Sequence, residues 1–454
     1  MSPADYPITV TLQLPDLREV AVGVISEQRV PPRRSPVMTF IYSDEYLADP
    51  SAYPLSPDLP LTGGLHTPPV HTDVFLAFRD VQPDRWGRRL IESIERRKAR
   101  SAGERFRKLT ELDVLMRLAD RTRQGALRFG SPDTDGDDET RQVLASTEFI
   151  PTLARIASRI EADEELSEEA LSMLPTGTGA GGARPKFNVS TGDGALMLAK
   201  LPSREDRWNV ALWEAATAQA AADAGIETPR IRYMAADGEG YGVTLLRRFD
   251  RTDGGERIGY LSGAAVLGLA RADAYTYEEL AAEAMAGTAD MDRLGEQLFR
   301  RIAFSVLVNN VDDHARNHGF LRGPDGWDLS PVFDVNPFPD ITEATPIDAQ
   351  DDPEERDLRR LLEGRDGYRM TLECARAALA QVADAAGTIP ARARALGATE
   401  REMRLFAPVF EGAQFNTAGR LAGGLPLGSA SRVRRRDSFG RFAADGDPLS
   451  RSTR

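Results

Sequence analysis

The segment between residues 309 and 334 carries side chains of types that could transfer a phosphoryl group. Asn317 follows Asp312 by five residues, and Asp334 comes after a short predicted strand at 327–329. Phosphoryl transfer to a hydroxyl needs a carboxylate that orients the acceptor and takes its proton, together with oxygen ligands for magnesium. Amide and carboxylate oxygens suit Mg²⁺. The spacing therefore predicts Asp312 as the catalytic residue, with Asn317 and Asp334 as metal ligands.

An Asp and an Asn five residues apart also occur by chance, so a second interpretation stays open. The segment could be an exposed loop after a helix, with Asn310 and Asp313 as capping residues. Two features favour the catalytic interpretation. An apolar stretch of predicted helix at 304–308 would anchor the loop at the edge of a core. Other residues suited to phosphate binding precede the loop in the order found in kinases.

A lysine and a glycine-rich stretch are the candidates for phosphate binding. Lys200 lies in an apolar predicted strand, where it is either a phosphate ligand or an edge residue whose amine reaches solvent. Glu214, on the next predicted helix, could hold the Lys200 amine or could be an ordinary exposed carboxylate. The backbone N–H groups of residues 177–186 could bind phosphate oxygens, although this stretch is not a P-loop and could equally be a flexible linker.

The elements around these residues change along the chain from mostly strand to mostly helix. Apolar runs and Asp-Gly turns predict strands at 186–190, 195–201, 231–234 and 241–246. Between the second and third of these strands, Asn209 caps a predicted helix that ends at Gly225. Helices dominate after Asp250, one of them starting at a capping box at 276–279. This order predicts an α+β fold with a sheet-rich part before a helix-rich part.

The first part of the chain predicts a separate module in front of this sheet. Alternating apolar residues predict strands at 8–12 and 37–42, and helical spacing predicts a helix near 86–97. An acidic insert at 131–139 lacks the ligand spacing of a calcium loop and is predicted to be exposed. A further helix is predicted within 151–174.

Length, charge and cysteine content exclude several classes of protein. The 454 residues suit two domains or one large bilobal one, and the net charge of −13 disfavours direct DNA binding, which needs Lys and Arg at the phosphates. Cys374 is the sole cysteine, so neither an intramolecular disulfide nor a cysteine-based zinc site can form. No apolar run reaches the ~20 residues of a membrane span, and the N-terminus does not resemble a signal peptide, so we expect a soluble cytoplasmic protein.

Taken together, these segments resemble the HipA family of serine/threonine kinase toxins. The motifs that carry the resemblance lie at 181–186, 198–202, 248–251, 312–317 and 329–331, with Asp334. The stretches at 75–80 and 83–89 are also similar to the family's N-terminal module. The likeness spans most of residues 10–400.

The resemblance implies a bilobal, protein-kinase-like fold and a set of site residues. Its parts would be an N-terminal module over 1–110, a kinase N-lobe region with the glycine-rich loop over 111–250, a helical C-lobe over 251–422 and a disordered basic tail over 423–454. Asp312 matches the catalytic aspartate, and Asn317 and Asp334 match the magnesium ligands. The residues implied in ATP binding are Lys200, Gly181, Gly182, Ala183, Lys186, Glu214 and His314.

The implied activity is transfer from ATP, with Mg²⁺, to a serine or threonine of a protein. Members of the family pair with a small DNA-binding antitoxin of the HipB kind, so DNA would be reached only through that partner. Known members phosphorylate aminoacyl-tRNA synthetases and so stall translation, which makes a translation-related protein the expected substrate. The basic residues at 432–436 are interpreted as a solvated terminus, with a contact to nucleic acid or an acidic partner as the alternative.

Two further hypotheses stay open, and the first is motivated by a departure from the family pattern. Gly179 stands where many members carry a serine that the kinase phosphorylates on itself, although Thr176 and Thr178 supply hydroxyls nearby. The chain could therefore be a catalytically weak nucleotide-binding regulator that acts through its antitoxin. It could also phosphorylate a small molecule, as antibiotic kinases with the same Asp-to-Asn spacing do.

Overall fold

Two five-stranded sheets and a helical region that carries a small third sheet make up the architecture. The computed structural model describes residues 7–30, 36–70, 72–130, 144–162, 164, 184–236, 240–269, 275–340 and 342–424. The predicted α+β class is confirmed, as is the order in which sheets precede helices. Within the described residues, no helix combines the length and apolarity that crossing a membrane requires.

The first sheet belongs to the N-terminal part of the chain. Its strands are β1 (Ile8–Gln13), β2 (Glu19–Gln28), β3 (Val37–Tyr42), β4 (Leu65–His66) and β5 (Leu127–Phe129). They follow the order β4-β3-β2-β1-β5, and all neighbours are antiparallel. The predicted strands at 8–12 and 37–42 therefore exist, because their alternating apolar residues, such as Val10 and Leu12, are buried in the core of this module.

Four helices lie in the N-terminal part of the chain that the structure describes. They are α1 (Asp44–Ala48), α2 (Leu76–Val81), α3 (Arg85–Ser101) and α4 (Glu111–Met116). The helix predicted near 86–97 is α3, which begins where the Asp84 side chain accepts a hydrogen bond from the Gly87 backbone N–H. The predicted boundary at residue 110 stays a prediction, and β5 lies beyond it while pairing with β1.

The second sheet lies between the N-terminal module and the helical region. Its strands are β6 (Ala145–Ser146), β7 (Lys186–Ser190), β8 (Leu196–Lys200), β9 (Ile231–Met234) and β10 (Val243–Arg247), in the order β6-β7-β8-β10-β9. Only β6 and β7 are parallel among these described pairs. Helix α3 and helix α5 (Ile150–Glu161) share a buried cluster with this sheet, where the rings of Trp86 and Phe187 lie 6.1 Å apart.

Helix α6 (Val210–Asp223) joins the second sheet to the helical region. It forms where predicted, because the Asn209 side chain accepts from the Leu212 N–H at its start, and Gly225 adopts φ +74° after its end. The later helices are α7 (Gly263–Val266), α8 (Tyr277–Ala286), α9 (Met291–Leu307), α10 (Leu358–Glu363), α11 (Leu372–Ala386), α12 (Ile389–Ala395), α13 (Glu400–Phe410) and α14 (Ala413–Ala422). The strands β11 (Tyr260–Ser262), β12 (Gly319–Gly323) and β13 (Gly326–Leu329) form the third sheet.

Helix α9 lies at the centre of the largest buried cluster. The residues Leu298, Phe299 and Ile302 have no exposed surface, which explains the long apolar spacing of this segment. The chain leaves α9 for the loop that carries Asp312, and β12 and β13 then return it towards Asp334. The acidic insert at 131–139, the glycine-rich residues 177–183 and the tail from 425 onwards lie outside the described residues.

Candidate functional site

Lys200, Glu214 and Asp334 form one ion-paired group at the boundary between the second sheet and the helical region. The Lys200 amine contacts both Glu214 Oε1 and Asp334 Oδ1. Burial by itself would lower the pKa of Lys200, but the charges of Asp334 and Glu214 outweigh it and raise that pKa. The structure therefore keeps the lysine charged and extended, in the pairing that the sequence left as one of two alternatives.

Asp334 reaches this group from an unusual backbone conformation. Its φ of +57° lies in the left-handed region, which non-glycine residues seldom adopt. Burial would raise the pKa of the Asp334 carboxyl, but Lys200 and then Lys186 lower it, so the group stays ionised. Such conformations persist only where the surrounding structure holds them, and they are concentrated at functional sites. Asp334 is held in place by its contact with Lys200.

Asp312 and Asn317 lie on the loop that follows α9. The side-chain Nδ2 of Asn317 donates to the Asp312 carbonyl at 2.7 Å, which leaves its Oδ1 to accept from or bind another group. Desolvation raises the pKa of Asp312, an effect that the charge of Asp334 reinforces and that His314 opposes. The Asp312 carboxylate is thus a stronger base than an ordinary surface aspartate.

The neighbouring residue, Asp313, anchors this loop. Its carboxylate accepts from the Tyr277 hydroxyl at 2.6 Å and the Ser305 hydroxyl at 2.7 Å, and lies 3.2 Å from His318 Nε2. Its carbonyl accepts from the Tyr275 hydroxyl at 2.9 Å and from Thr345 at 2.6 Å. Burial would raise the pKa of the Asp313 carboxyl. The charge of His318 and the hydrogen bonds from the Tyr277 and Ser305 hydroxyls outweigh burial and hold that pKa well below its usual range.

Lys186 pairs with a carboxylate from the N-terminal module. Its Nζ lies 3.1 Å from Asp84 Oδ2, and both side chains are 3% exposed, so this ion pair is almost fully buried. Burial raises the pKa of Asp84 to about 6, although Lys186 opposes that rise. Lys186 and Lys200 are partners in register across β7 and β8. Two lysines therefore lie side by side, each next to a carboxylate.

Arg248 and Asp250 connect the second sheet to the N-terminal module. Arg248 donates to Asp250 Oδ1 at 2.7 Å and to the Thr122 carbonyl at 3.1 Å. Asp250 in turn accepts from the Gly125 backbone N–H at 2.8 Å. Burial opposes its charge, but Arg248 and Arg251 hold the pKa of Asp250 below its usual range. This buried network fixes the strand end beside the cleft.

These groups surround one cleft of about 760 Å³. Of the predicted site residues, those that line it are Lys200, Asp312, His314, Asn317 and Asp334. Glu214 is joined to them through Lys200, and Lys186 lies behind Asp84, which lines the cleft. The predicted residues Gly181, Gly182 and Ala183 lie outside the described residues.

The donors in the cleft suit magnesium bound together with phosphates. Asn317 Oδ1 and the Asp334 carboxylate are oxygen donors on the same cleft, and Mg²⁺ commonly takes one or two carboxylates and completes its shell with water and phosphate oxygens. In the described ranges, no cluster of three or more His, Cys, Asp and Glu suggests a metal held by protein alone. The buried His314 Nδ1 has no hydrogen-bond partner among the described residues.

The sequence did not single out the contributions of Asp84, Asp313 and the N-terminal module. Asp84 carried a detectable signal, because Asp three residues before Gly87 in front of a helical pattern is an N-cap. Its pairing with Lys186 had no signal, since the two residues are distant in the chain. The sequence suggests Asp313 only as a capping residue, whereas in the structure its buried carboxylate anchors the loop that carries Asp312.

Comparisons with known proteins agree on one relationship. A model of the HipA N-terminal domain matches residues 17–129, and a model of the HipA-like C-terminal domain matches residues 178–396. Comparison with curated proteins returns no match.

Solved structures similar to the chain include the following two. The first is from a Shewanella oneidensis MR-1 complex of toxin–antitoxin system HipA, HipB and operator DNA, with a TM-score of 0.62 and 17% identity over 92% of this chain and 98% of that one. The second is the Helicobacter pylori proinflammatory kinase CtkA, with a TM-score of 0.41 and 14% identity over 55% of this chain and 95% of that one. The Shewanella structure shows that the fold is shared.

Proposed function

Because this chain belongs to the HipA family and has its kinase-like fold, we propose that it transfers the γ-phosphoryl group of ATP to a serine or threonine of a protein. The observation that carries the proposal is the convergence of Lys200, Asp334, Asp312 and Asn317 on one cleft. These are the residue types that phosphoryl transfer needs, namely a phosphate-binding cation, metal-binding oxygens and a carboxylate that orients the acceptor.

The cleft offers separate surfaces for the base and the phosphates of ATP. Leu198, Leu246, Phe249 and Phe333 contribute apolar surface to the cleft, and the two phenylalanine rings lie 5.4 Å apart. A purine base could pack against such side chains. Lys200 lines the same cleft, two residues after Leu198 on strand β8, and would bind phosphate oxygens.

Asn317 and Asp334 would hold Mg²⁺ against those phosphates. When bound, the ion supplies charge that neutralises the phosphate oxygens. Lys200 would contribute a second cation, and its ion pair with Glu214 would keep it charged if Asp334 held the metal. The two partners of Lys200 thus have different roles, since Glu214 is buried while Asp334 faces the cleft.

Asp312 would act on the acceptor hydroxyl. The hydroxyl oxygen forms its bond to the γ-phosphorus while the bond from that phosphorus to the ADP oxygen breaks, and the hydroxyl proton passes to the Asp312 carboxylate. A raised pKa makes Asp312 a better proton acceptor than a fully solvated carboxylate. The anchored Asp313 keeps the loop fixed while this happens.

Family membership supports a toxin role and an antitoxin partner. We propose that the chain pairs with a HipB-like antitoxin, as the HipA of the Shewanella complex does, and reaches DNA only through it. An aminoacyl-tRNA synthetase remains the substrate proposed by analogy with the family. The rival hypothesis of a catalytically weak regulator predicts that the growth effect does not depend on Asp312.

A labelling experiment tests the proposal. Purified protein is incubated with γ-labelled ATP, Mg²⁺ and a cell lysate freed of small molecules, and labelled proteins are resolved on a gel. We expect a labelled protein, and a loss of about 10²- to 10⁴-fold in rate for Asp312→Asn. Asp325→Asn, which changes an exposed carboxylate in the turn between β12 and β13, is the matched control and should label normally. Label that survives Asp312→Asn would contradict the proposal. If expression of the chain arrests growth, arrest that survives the same substitution would favour the regulator.

A further inference from the structure

The cleft is larger than the nucleotide surfaces alone, because the N-terminal module forms its other wall. The charged residues of this wall include Asp73, Arg79, Asp80, Arg85, Arg88 and Glu111. The catalytic loop, with Asp312 and Arg316, lies on the same cleft as this wall. A group that enters between the module and the loop would therefore reach Asp312.

Most charges in the cleft already have partners in the chain. Arg88 pairs with Glu111 at 2.7 Å, and Arg248 pairs with Asp250 at 2.5 Å. Arg316 and Arg85 differ, because both are exposed and neither makes a hydrogen bond or an ion pair with any part of the chain that the structure describes, and of the two Arg316 lies on the loop of Asp312. An arginine without a partner on a substrate cleft is available for recognition, since its planar guanidinium matches a carboxylate in a two-bond geometry.

A second cation lines the same cleft as Arg316. The half-buried Arg79 comes from helix α2, and its pKa is lowered first by burial and next by the charge of Arg316. The Asp80 carboxylate offsets part of the charge of the two arginines, and it is fixed by Ser262, whose backbone N–H donates at 2.6 Å and whose hydroxyl donates at 2.7 Å. Two like charges held together in a cleft favour the binding of an anion between them.

Resting on the proposed kinase function, we propose that Arg316 and Arg79 bind an acidic side chain next to the acceptor hydroxyl, so that this enzyme selects serine or threonine sites flanked by Asp or Glu. Arg316 is four residues after Asp312 on the same loop, which puts the acidic side chain within a few residues of the acceptor. The N-terminal module thereby becomes part of the substrate site.

A protein ligand fits this wall better than a nucleic acid. The chain carries a net charge of −13, and the same wall presents the carboxylates of Asp73, Asp80 and Glu111. A phosphate backbone would meet these carboxylates as well as the arginines, and nucleic-acid sites need a continuous basic surface. A single acidic side chain needs only the local pair of arginines.

The test uses the full chain with Mg²⁺ and ATP or ADP and three matched peptide sets. Each peptide has a central serine flanked by Glu, Gln or Lys, and a second series replaces the serine with alanine for binding by fluorescence polarisation. We expect Glu-flanked peptides to bind about tenfold more tightly than Gln-flanked ones, as one charge-assisted pair allows. Arg316→Glu should move the preference to Lys-flanked peptides, because like charges then repel the acidic ones. Arg232→Glu, a reversal on an exposed arginine of β9 away from the cleft, should keep the wild-type preference.

Binding and transfer separate this inference from the proposed function. Preference for Glu-flanked alanine peptides without transfer to the serine peptides would support the inference and overturn the kinase function. Three outcomes would overturn the inference. They are transfer without any charge preference, no binding of any Glu-flanked peptide, and an unchanged preference in Arg316→Glu. Purified tRNA serves as a competitor, and tRNA binding that depends on Arg316 while the peptides do not bind would assign the arginines to nucleic acid instead.

Discussion

Lys186 and Lys200 face each other across strands β7 and β8, and each pairs with a carboxylate from a different part of the chain. Lys186 meets Asp84 from the N-terminal module, whereas Lys200 meets Glu214 from α6. Two neighbouring amines repel each other unless each has its own counter-charge. The two pairs therefore connect the cleft to the N-terminal module as well as to helix α6.

Replacement of Lys200 tests the ion-paired group. Lys200→Met leaves Glu214 buried beside Asp334 without a cation, so we expect a loss of about 3 kcal/mol in the free energy of unfolding and a large loss of nucleotide affinity. Urea unfolding and nucleotide titration measure the two effects. The double variant Lys200→Met, Glu214→Gln should regain part of the stability but none of the affinity. Lys108→Met, at an exposed site, is the control. Equal losses of stability in Lys200→Met and Lys108→Met would contradict the pairing.

Asp84 gives a prediction about pH. Its pKa is raised by burial from 3.8 to about 6 in the folded chain, with Asp334 adding to the rise and Lys186 opposing it. Between about pH 4 and pH 6 the folded state therefore binds more protons at Asp84 than the unfolded state does, and stability falls as the pH rises through this window.

Asp84→Asn should remove this contribution. The free energy of unfolding of the wild-type chain should fall relative to that of the variant by about 2 kcal/mol between pH 4 and pH 7. Urea unfolding of both proteins across this range gives the difference. Glu104→Gln, at an exposed carboxylate, serves as the control and should follow the wild-type curve. A constant difference between wild type and Asp84→Asn would show that Asp84 titrates normally.

The contact between Asp80 and Ser262 links α2 to the start of α7. Ser262 is the N-cap of α7, where its hydroxyl accepts from the Ala265 N–H at 3.2 Å and donates to Asp80. Ser262→Ala removes the cap and one of the two bonds to a buried carboxylate, so we expect a loss of about 2 kcal/mol. Thermal unfolding measures it. Ser262→Thr keeps both hydroxyl functions and should lose much less, and equal losses in the two variants would point to packing alone.

Much of the fold follows from local sequence signals. The strands β7, β8 and β9 and the capped helix α6 arise where apolar alternation, an Asp-Gly turn and Asn209 place them. These signals act over a few residues, so a single sequence is enough to reveal them. Membership of the HipA family and the kinase-like fold were likewise readable from the combined motifs and are confirmed.

The parts of the site that depend on tertiary packing could not be predicted from the sequence. Asp84 reaches Lys186 only because α3 packs on the second sheet, and the left-handed φ of Asp334 depends on the contacts around it. The roles assigned to Lys200, Asp312, Asn317 and Asp334 stay predictions, and the structure adds that their side chains share one cleft.

Asp313 gives the sharpest test of how the catalytic loop is held. Its carboxylate and carbonyl accept hydrogen bonds from four hydroxyl groups, and His318 supplies the opposing charge. Asp313→Asn keeps the size of the side chain but weakens these contacts, so the Asp312 backbone should gain freedom. Because small errors in the position of a catalytic group lower the rate strongly, we expect the rate of phosphoryl transfer to fall about tenfold to a hundredfold.

The separate effects of Asp313→Asn on kcat and on the KM for ATP test whether Asp313 positions Asp312. Asp313 does not line the cleft, so the KM for ATP should change less than twofold while kcat falls. Steady-state phosphorylation of a peptide or lysate substrate gives both values, and circular dichroism checks that the variant is folded. Tyr277→Phe removes a single donor to the same carboxylate and should give a smaller fall in kcat. A rise in KM with unchanged kcat in Asp313→Asn would mean that the residue supports nucleotide binding and does not position Asp312.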